Sequence, residues 1–250
     1  FLNRRDPQLS QWIKTKPDHP SSYTVVLSPE KVDRIFLHCT GTNTSFNSSD
    51  VDYDLIARSK IFHLGYPPLL ASLAANDGED LARLFQKAKA TGVITSLDLS
   101  LPDPEGASGN VNWKELLTRT LPFVDVFVPS FAEAVFMLRR ADYDRWQGNV
   151  LQHATQDYLD SLVDELFQLG SASVVGFKLA NAGIYLCGVS TARADCLRQL
   201  SINWAEWSSK RVWHPAFQVE VAGTTGAGDA AYAGLLSALV QGLSIEAAAQ

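Results

Sequence analysis

The sequence predicts an α/β domain: a doubly wound, mostly parallel sheet flanked by helices, with a β-hairpin placed ahead of it. From Ile61 onward, short apolar runs alternate with amphipathic stretches, the pattern of strands linked by helices across a parallel sheet. Before that point two β-rich runs flank a Pro-containing turn, which reads as a hairpin. Near the end, a glycine-rich stretch leads directly into a small-residue and leucine run, the pattern of a strand, a tight turn and a helix.

The hairpin pairs Tyr23 to Leu27 (YTVVL) with Arg34 to His38 (RIFLH) across SPEKVD, where Pro29 and Asp33 suit a short turn. The predicted sheet strands are Ile61 to Gly65, Val93 to Asp98, Val124 to Pro129, Ser173 to Lys178, Gly183 to Cys187 and finally Phe217 to Val221 (FQVEV). Helical patterns cover Asp80 to Thr91, Asn112 to Leu121, Phe131 to Arg139 and Gln156 to Leu169, with a last helix ending near Gly242. In open α/β sheets ligands collect where strands end. Asp98, Ser130 and Glu133 fall at such ends and are candidate site residues, as is the stretch directly after FQVEV. A turn-capping role for Asp98 fits its position equally well. Ser190 to His214, with Trp204, Trp207 and Trp213, reads as an irregular insertion packing its aromatics onto the domain, or as a ligand surface.

Composition narrows the function classes. With 250 residues and 46% hydrophobic content, one large domain with a sizeable core is expected. A net charge of -6 offers no clustered cationic stripe for phosphodiester backbones, so a small-molecule partner is favoured over a nucleic acid. Cys39, Cys187 and Cys196 are too few and too scattered for a disulfide framework or a spaced zinc site, and they read as reduced thiols. No apolar run reaches the ~18 residues needed to span a bilayer, and FLNRRDPQLSQW lacks a signal-peptide segment, so no membrane role and a cytoplasmic location are expected. The chain starts at Phe1 and its one methionine is Met137, so it reads as processed or as a piece of something longer. His38 and His63 fall in or beside strands and read as structural.

The chemistry concentrates in Gly223-Thr224-Thr225-Gly226-Ala227-Gly228-Asp229. Small residues let the backbone approach a ligand, and the unpaired amides of a helix's first turn point at an anion, for which a phosphate is the natural occupant. Asp229 at that helix start is held ionised by the dipole, worth roughly 0.3 to 1 kcal/mol. Helix capping alone accounts for one Asp; it does not account for the glycines and threonines crowded before it.

GTTGAGDA with its helix is similar to the signature of the ribokinase-like, or PfkB, carbohydrate kinases, usually D-T-T-G-A-G-D. The resemblance runs from about Ser21 to Gln250. It implies a ribokinase-like fold and ATP-dependent transfer of the γ-phosphate to a hydroxyl of a sugar or sugar-like alcohol. It implies that Asp229 is the base, with Gly226, Ala227, Gly228 and Asp229 forming an anion hole and Thr224 and Thr225 beside the nucleotide phosphates. RIFLHCTGTN looks like a lid strand and the turn after it, which places Gly41 and Asn43 on the acceptor side; Asp98, from its strand end, is a candidate for the acceptor or the phosphate side. LPFVDVFVPSFAE resembles L-P-x-V-D-x-x-x-P-N-x-x-E, which assigns Mg2+ and its waters to Glu133 and Ser130. VVGFKLANAGIYL resembles the segment that touches the nucleotide, which assigns Lys178 and Gly183 to ATP. Residues 1–250 then form one domain, truncated at both ends relative to the family, with residues 21–46 as a lid that excludes water or pairs with a second subunit.

Three positions depart from the family pattern. Ser130 stands for Asn, Gly223 for the first Asp, and Ala180 for a glycine of the nucleotide loop. A nucleoside kinase on the same fold and a non-catalytic nucleotide- or sugar-binding relative both fit the same motifs.

Overall fold

The computed structural model describes residues 2–29, 35–170, 173–189, 200, 202–221 and 223–250. Strands are β1 (Tyr23–Leu27), β2 (Ile35–Cys39), β3 (Ile61–Leu64), β4 (Ile94–Leu97), β5 (Val126–Phe127), β6 (Val174–Lys178), β7 (Ile184–Gly188) and β8 (Arg211–His214). Helices are α1 (Leu2–Arg5), α2 (Tyr53–Ile56), α3 (Ala71–Ala90), α4 (Trp113–Thr120), α5 (Phe131–Leu138), α6 (Arg140–Trp146), α7 (Gln156–Gln168), α8 (Ala227–Gln241) and α9 (Ile245–Ala248).

The central sheet has six strands in the order β3-β4-β5-β6-β7-β8. Pairings from β3 to β6 are parallel, and β6-β7 and β7-β8 are antiparallel. Strand side chains alternate between two cores, as a period of two requires. Phe127, Val175, Tyr185 and Cys187 join the core built with α3, α4, α5 and α7, while Val126, Val174 and Leu186 join the one built with α8 and α9. Burial on both faces explains why these strands read as continuous apolar runs. Asp125, fully buried just before β5, accepts from Lys89 Nζ at the end of α3 and from the Thr95 amide (3.0 Å) in β4. That tie joins a helix to two strands through one carboxylate.

The separate β1-β2 sheet is antiparallel, with Tyr23 opposite Cys39 and Leu27 opposite Ile35. Its Tyr23, Val25, Leu27, Ile35, Phe36 and Leu37 are all exposed. Most of the turn SPEKVD lies outside the described residues, as do Cys196 and most of Ser190 to Ser201. His38 Nδ1 meets Thr24 Oγ1 (2.8 Å) across the strands.

Two expectations are corrected. FQVEV is not a strand: residues 217–221 run irregularly with Phe217, Val219 and Val221 exposed, because no strand among the described residues pairs with them. The last strand is β8, inside the tryptophan-rich stretch, where Trp213 faces Tyr185 across the ladder. Those tryptophans pack onto the domain: Trp207 is fully buried and donates to Leu243 O (2.9 Å), and Trp204 stacks beside it. The helix expected from Asp80 begins earlier, at Ala71, and is broken at Ala75, Asn76, Asp77 and Gly78, the last three left-handed. Gly78 is required there, since a Cβ would sit 2.4 Å from Leu116 Cγ.

Candidate active site

The four parallel strands end on one side of the sheet, and the polar residues gather there. Gly65 and Tyr66 follow β3, Asp98 follows β4, Ser130 follows β5, and Lys178 closes β6. α8 brings Asp229 to the same edge, where Tyr66 Oη donates to Asp229 Oδ1. Its side chain is exposed rather than buried in the interior.

The local chain explains that placement. Gly226 is the residue before α8, at φ +81, a left-handed value that glycine adopts without penalty. Ala227 N–H turns back to Thr224 O (3.2 Å), and the first helical bond runs from Ala230 N–H to Gly226 O (2.9 Å). Between them the Gly228 and Asp229 amides lie at the helix's positive end. No atom lies within 4 Å of where a Cβ on Gly223 or Gly226 would stand, so the turn opens to solvent. A Cβ on Gly228 would stand 3.8 Å from Lys178 Nζ, which brings an ammonium beneath the first turn of α8.

Lys178 is itself held. Its Nζ donates to Asp98 Oδ1 (2.7 Å) and Oδ2 (2.6 Å), and it lies 5.3 Å from the centroid of the Tyr232 ring. Asp98 is 2 % exposed. Burial pushes its carboxyl up, while the Lys178 charge and the Leu99 amide (2.8 Å) pull it back. Tyr232, one turn beyond Asp229, buries its phenol on Leu97 O (2.9 Å) and Ser96 Oγ (3.0 Å), pinning α8 to the sheet. His63 reaches the other side of Ser96 Oγ (3.0 Å) and lies against the Tyr232 ring, in keeping with a structural role.

Ser130 and Glu133 form a capping box on α5. Ser130 N–H donates to Glu133 Oε2 (2.7 Å), and Glu133 N–H donates to Ser130 Oγ (3.3 Å). The box leaves Glu133 Oε1 for another partner. Burial pushes the Glu133 carboxyl up to about 7, against the opposing pull of Lys178 and the Ser130 amide. Oxygen donors of this kind suit Mg2+, which keeps several waters and takes one or two carboxylates alongside phosphates. Among the described residues no group of three or more His, Cys, Asp or Glu is placed to hold a metal by itself.

The remaining sequence candidates sit further out. Gly41, at φ +47, packs on Pro20 to Ser22, and a Cβ there would stand 2.5 Å from Pro20 O. Asn43 lines a cavity of about 480 Å³ with Trp12, Lys16, Asp50, Phe62 and His63. Gly183, at φ +96, turns β6 into β7 where a Cβ would meet His214 O at 1.9 Å. Ala180, standing where the resemblance has glycine, is left-handed at φ +50. Thr224 and Thr225 are exposed beside the turn. Sequence reasoning missed Tyr66 and the Asp98–Lys178 pair, because both contacts join residues far apart in the chain, 163 and 80 positions.

Comparison with known proteins adds the rest. The profile of the pfkB family carbohydrate kinases matches residues 9–250. A curated relative, "Probable fructokinase-6, chloroplastic" of Arabidopsis thaliana, is 29% identical over 197 residues, covering 79% of this chain and 41% of the relative. The adenosine kinase of Sinorhizobium meliloti superposes with a TM-score of 0.61 at 21% identity, over 95% of this chain and 61% of that one. Fructokinase with bound ATP from Xylella fastidiosa superposes at 0.59 and 17% identity, over 90% of this chain and 58% of its own. The chain thus spans under half the length of the curated relative and about three-fifths of these structures. No helix among the described residues is long and apolar enough to cross a membrane.

Proposed function

The chain belongs to the pfkB family of carbohydrate kinases, and on that premise we propose that it carries the phosphoryl-transfer centre of an ATP-dependent sugar kinase. The observation that carries this reading is the exposed Asp229 carboxylate on the same helical turn as the Gly228 and Asp229 amides. A phosphoryl group seated on those amides would have a proton acceptor immediately beside it.

Phosphoryl transfer passes through a loose transition state, so positioning and anion stabilisation supply most of the acceleration. The Gly228 and Asp229 amides, on a turn shaped by Gly226 and Ala227, receive the transferring group, and one well-aimed donor of this kind is worth about 2.7 to 4 kcal/mol. Asp229 takes the acceptor hydroxyl's proton late, once bonding to phosphorus has begun, for roughly 10² to 10⁴ in rate. Lys178, beneath Gly228, adds positive potential to the same pocket. Thr224, Thr225, Lys178 and Gly183 face the ATP side, and Gly41, Asn43 and Asp98 the acceptor side. Glu133, with Ser130, would hold Mg2+, which would offset the negative charge of the ATP phosphates. Residues 1–250 act as one domain in which 21–46 serve as a lid that keeps water from the phosphates; the exposed strands of that lid also suit pairing with a second copy.

Asp229→Asn is the test. We expect turnover to fall at least a hundredfold with ATP affinity unchanged; turnover within a few-fold of the parent removes Asp229 from the role of base. A nucleoside acceptor is the second reading, favoured by the superposition on an adenosine kinase. A panel of ribose, fructose, 2-keto-3-deoxygluconate, adenosine and inosine separates the two. A cytoplasmic location remains our reading from the cysteines, and imaging a fluorescent fusion checks it against the plastid named for the relative.

A further inference from the structure

The bond from Tyr66 to Asp229 is not needed for Asp229 to be a base, yet the backbone is held in a strained conformation that makes it. Tyr66 sits at φ +62, left-handed backbone that costs a residue with a side chain about 1 to 3 kcal/mol. Its neighbours hold it there. Tyr66 N–H donates to Asp98 O (3.2 Å), Leu69 N–H donates to Tyr66 O (2.9 Å), and Pro67 and Pro68 stiffen the short helical turn on its C-terminal side. Strain kept by so many restraints tends to mark a functional position.

We propose that Tyr66 is a positioning residue for phosphoryl transfer: its hydroxyl engages Asp229 Oδ1 and leaves Oδ2 to face the acceptor alcohol. The proposal rests on the reading of Asp229 as base. The terminal torsion of an aspartate is broad, so an untethered carboxylate on an exposed helix turn samples many orientations. One fixed donor narrows that spread. Burial and the Asp229 bond push the Tyr66 phenol up, so it stays a donor throughout the physiological range. The titratable groups around the pair are His63 from β3, Asp98 after β4, Glu133 from α5 and Lys178 from β6. Among the described residues, Tyr66 is the side chain that hydrogen-bonds Asp229.

The test compares Tyr66→Phe with the parent in the full-length protein, with the thermal midpoint checking that the ring still packs. Expected are a roughly tenfold fall in kcat and an unchanged KM for ATP. An unchanged kcat overturns the proposal. So does a lower KM for the acceptor at unchanged kcat, which would mean that the phenol merely occupies the acceptor's place. The carbon-13 chemical shift of the Asp229 carboxyl at neutral pH, identified by its loss in Asp229→Asn, reads the same contact without turnover. A signal unmoved by Tyr66→Phe overturns the proposal whatever the base is; one that moves while Asp229→Asn keeps full turnover overturns the reading beneath it.

Discussion

Replacing Lys178 with methionine isolates the ion pair beneath the site. The change removes the ammonium that meets Asp98 at 2.7 and 2.6 Å and leaves the carboxylate with one amide donor, Leu99 N–H, at 2.8 Å. Stripping one partner from a buried pair costs about 3 to 5 kcal/mol, because the remaining charge has neither water nor counter-ion. The Lys178 side chain keeps 13% exposure, which lets some solvent reach the gap, so the lower end applies. A loss of about 3 kcal/mol lowers the thermal midpoint by roughly 8 °C in a chain of this size. The pH dependence has a definite sign. Burial already raises the Asp98 carboxyl, and losing Lys178 raises it further. A group whose folded pKa is raised contributes stability that is complete below its unfolded pKa and is lost as pH climbs through the folded one. The deficit of Lys178→Met relative to the parent is therefore small near pH 4 and largest near pH 7. Adding Asp98→Asn removes the stranded charge and recovers most of the loss. Urea unfolding of the parent, both single variants and the double variant, at pH 5 and pH 7, gives the whole cycle. A single variant within 1 kcal/mol of the parent at pH 7, or a double variant no better than Lys178→Met, refutes the reasoning.

Two further changes probe the same edge of the sheet. Glu133→Gln keeps an N3 side chain that can close the capping box but removes a carboxyl raised to about 7, so it should stabilise the fold by about 1 to 3 kcal/mol at pH 8 and little at pH 5. Equal effects at both values in urea melts would mean that burial of the charge is not the cause. Ala180→Gly relieves a left-handed alanine and should raise stability by roughly 0.5 to 1 kcal/mol after the entropy glycine adds to the unfolded chain. Calorimetry showing a lower midpoint would mean that the alanine methyl contributes packing worth more than the strain.

Much of this architecture is written in short-range pattern. The runs ending at Asp98, Pro129 and Lys178 announce strands because both faces of each are covered, and Gly226 precedes a helix start with a positive φ that suits glycine. Pattern fails where pairing decides. FQVEV alternates as a strand should, yet it has no partner strand among the described residues, while RVWH forms β8 by lying against β7. Ser130-x-x-Glu133 carries a capping-box signature in plain view, which an assignment to magnesium alone passes over; the geometry shows the box and leaves one oxygen for that other role. Tyr66 offers only a local Gly-Tyr-Pro-Pro, which speaks of a turn and says nothing about what the ring reaches. Lys178 is assigned to the nucleotide by resemblance alone, and no local rule announces that it also pairs with Asp98, 80 positions away.

The sheet is laid down in the order of the chain, each strand beside its predecessor, so pairing from β3 to β8 can proceed by successive short loop closures. Tyr66 and Asp229, by contrast, must meet across 163 positions. Closing so long a loop gains nothing until the sheet has already drawn its ends together. Acquisition of native circular dichroism should therefore precede acquisition of the Tyr66 to Asp229 contact during refolding. A chain halted between the two would have its strands and most of its helices while the carboxylate on α8 was still undocked.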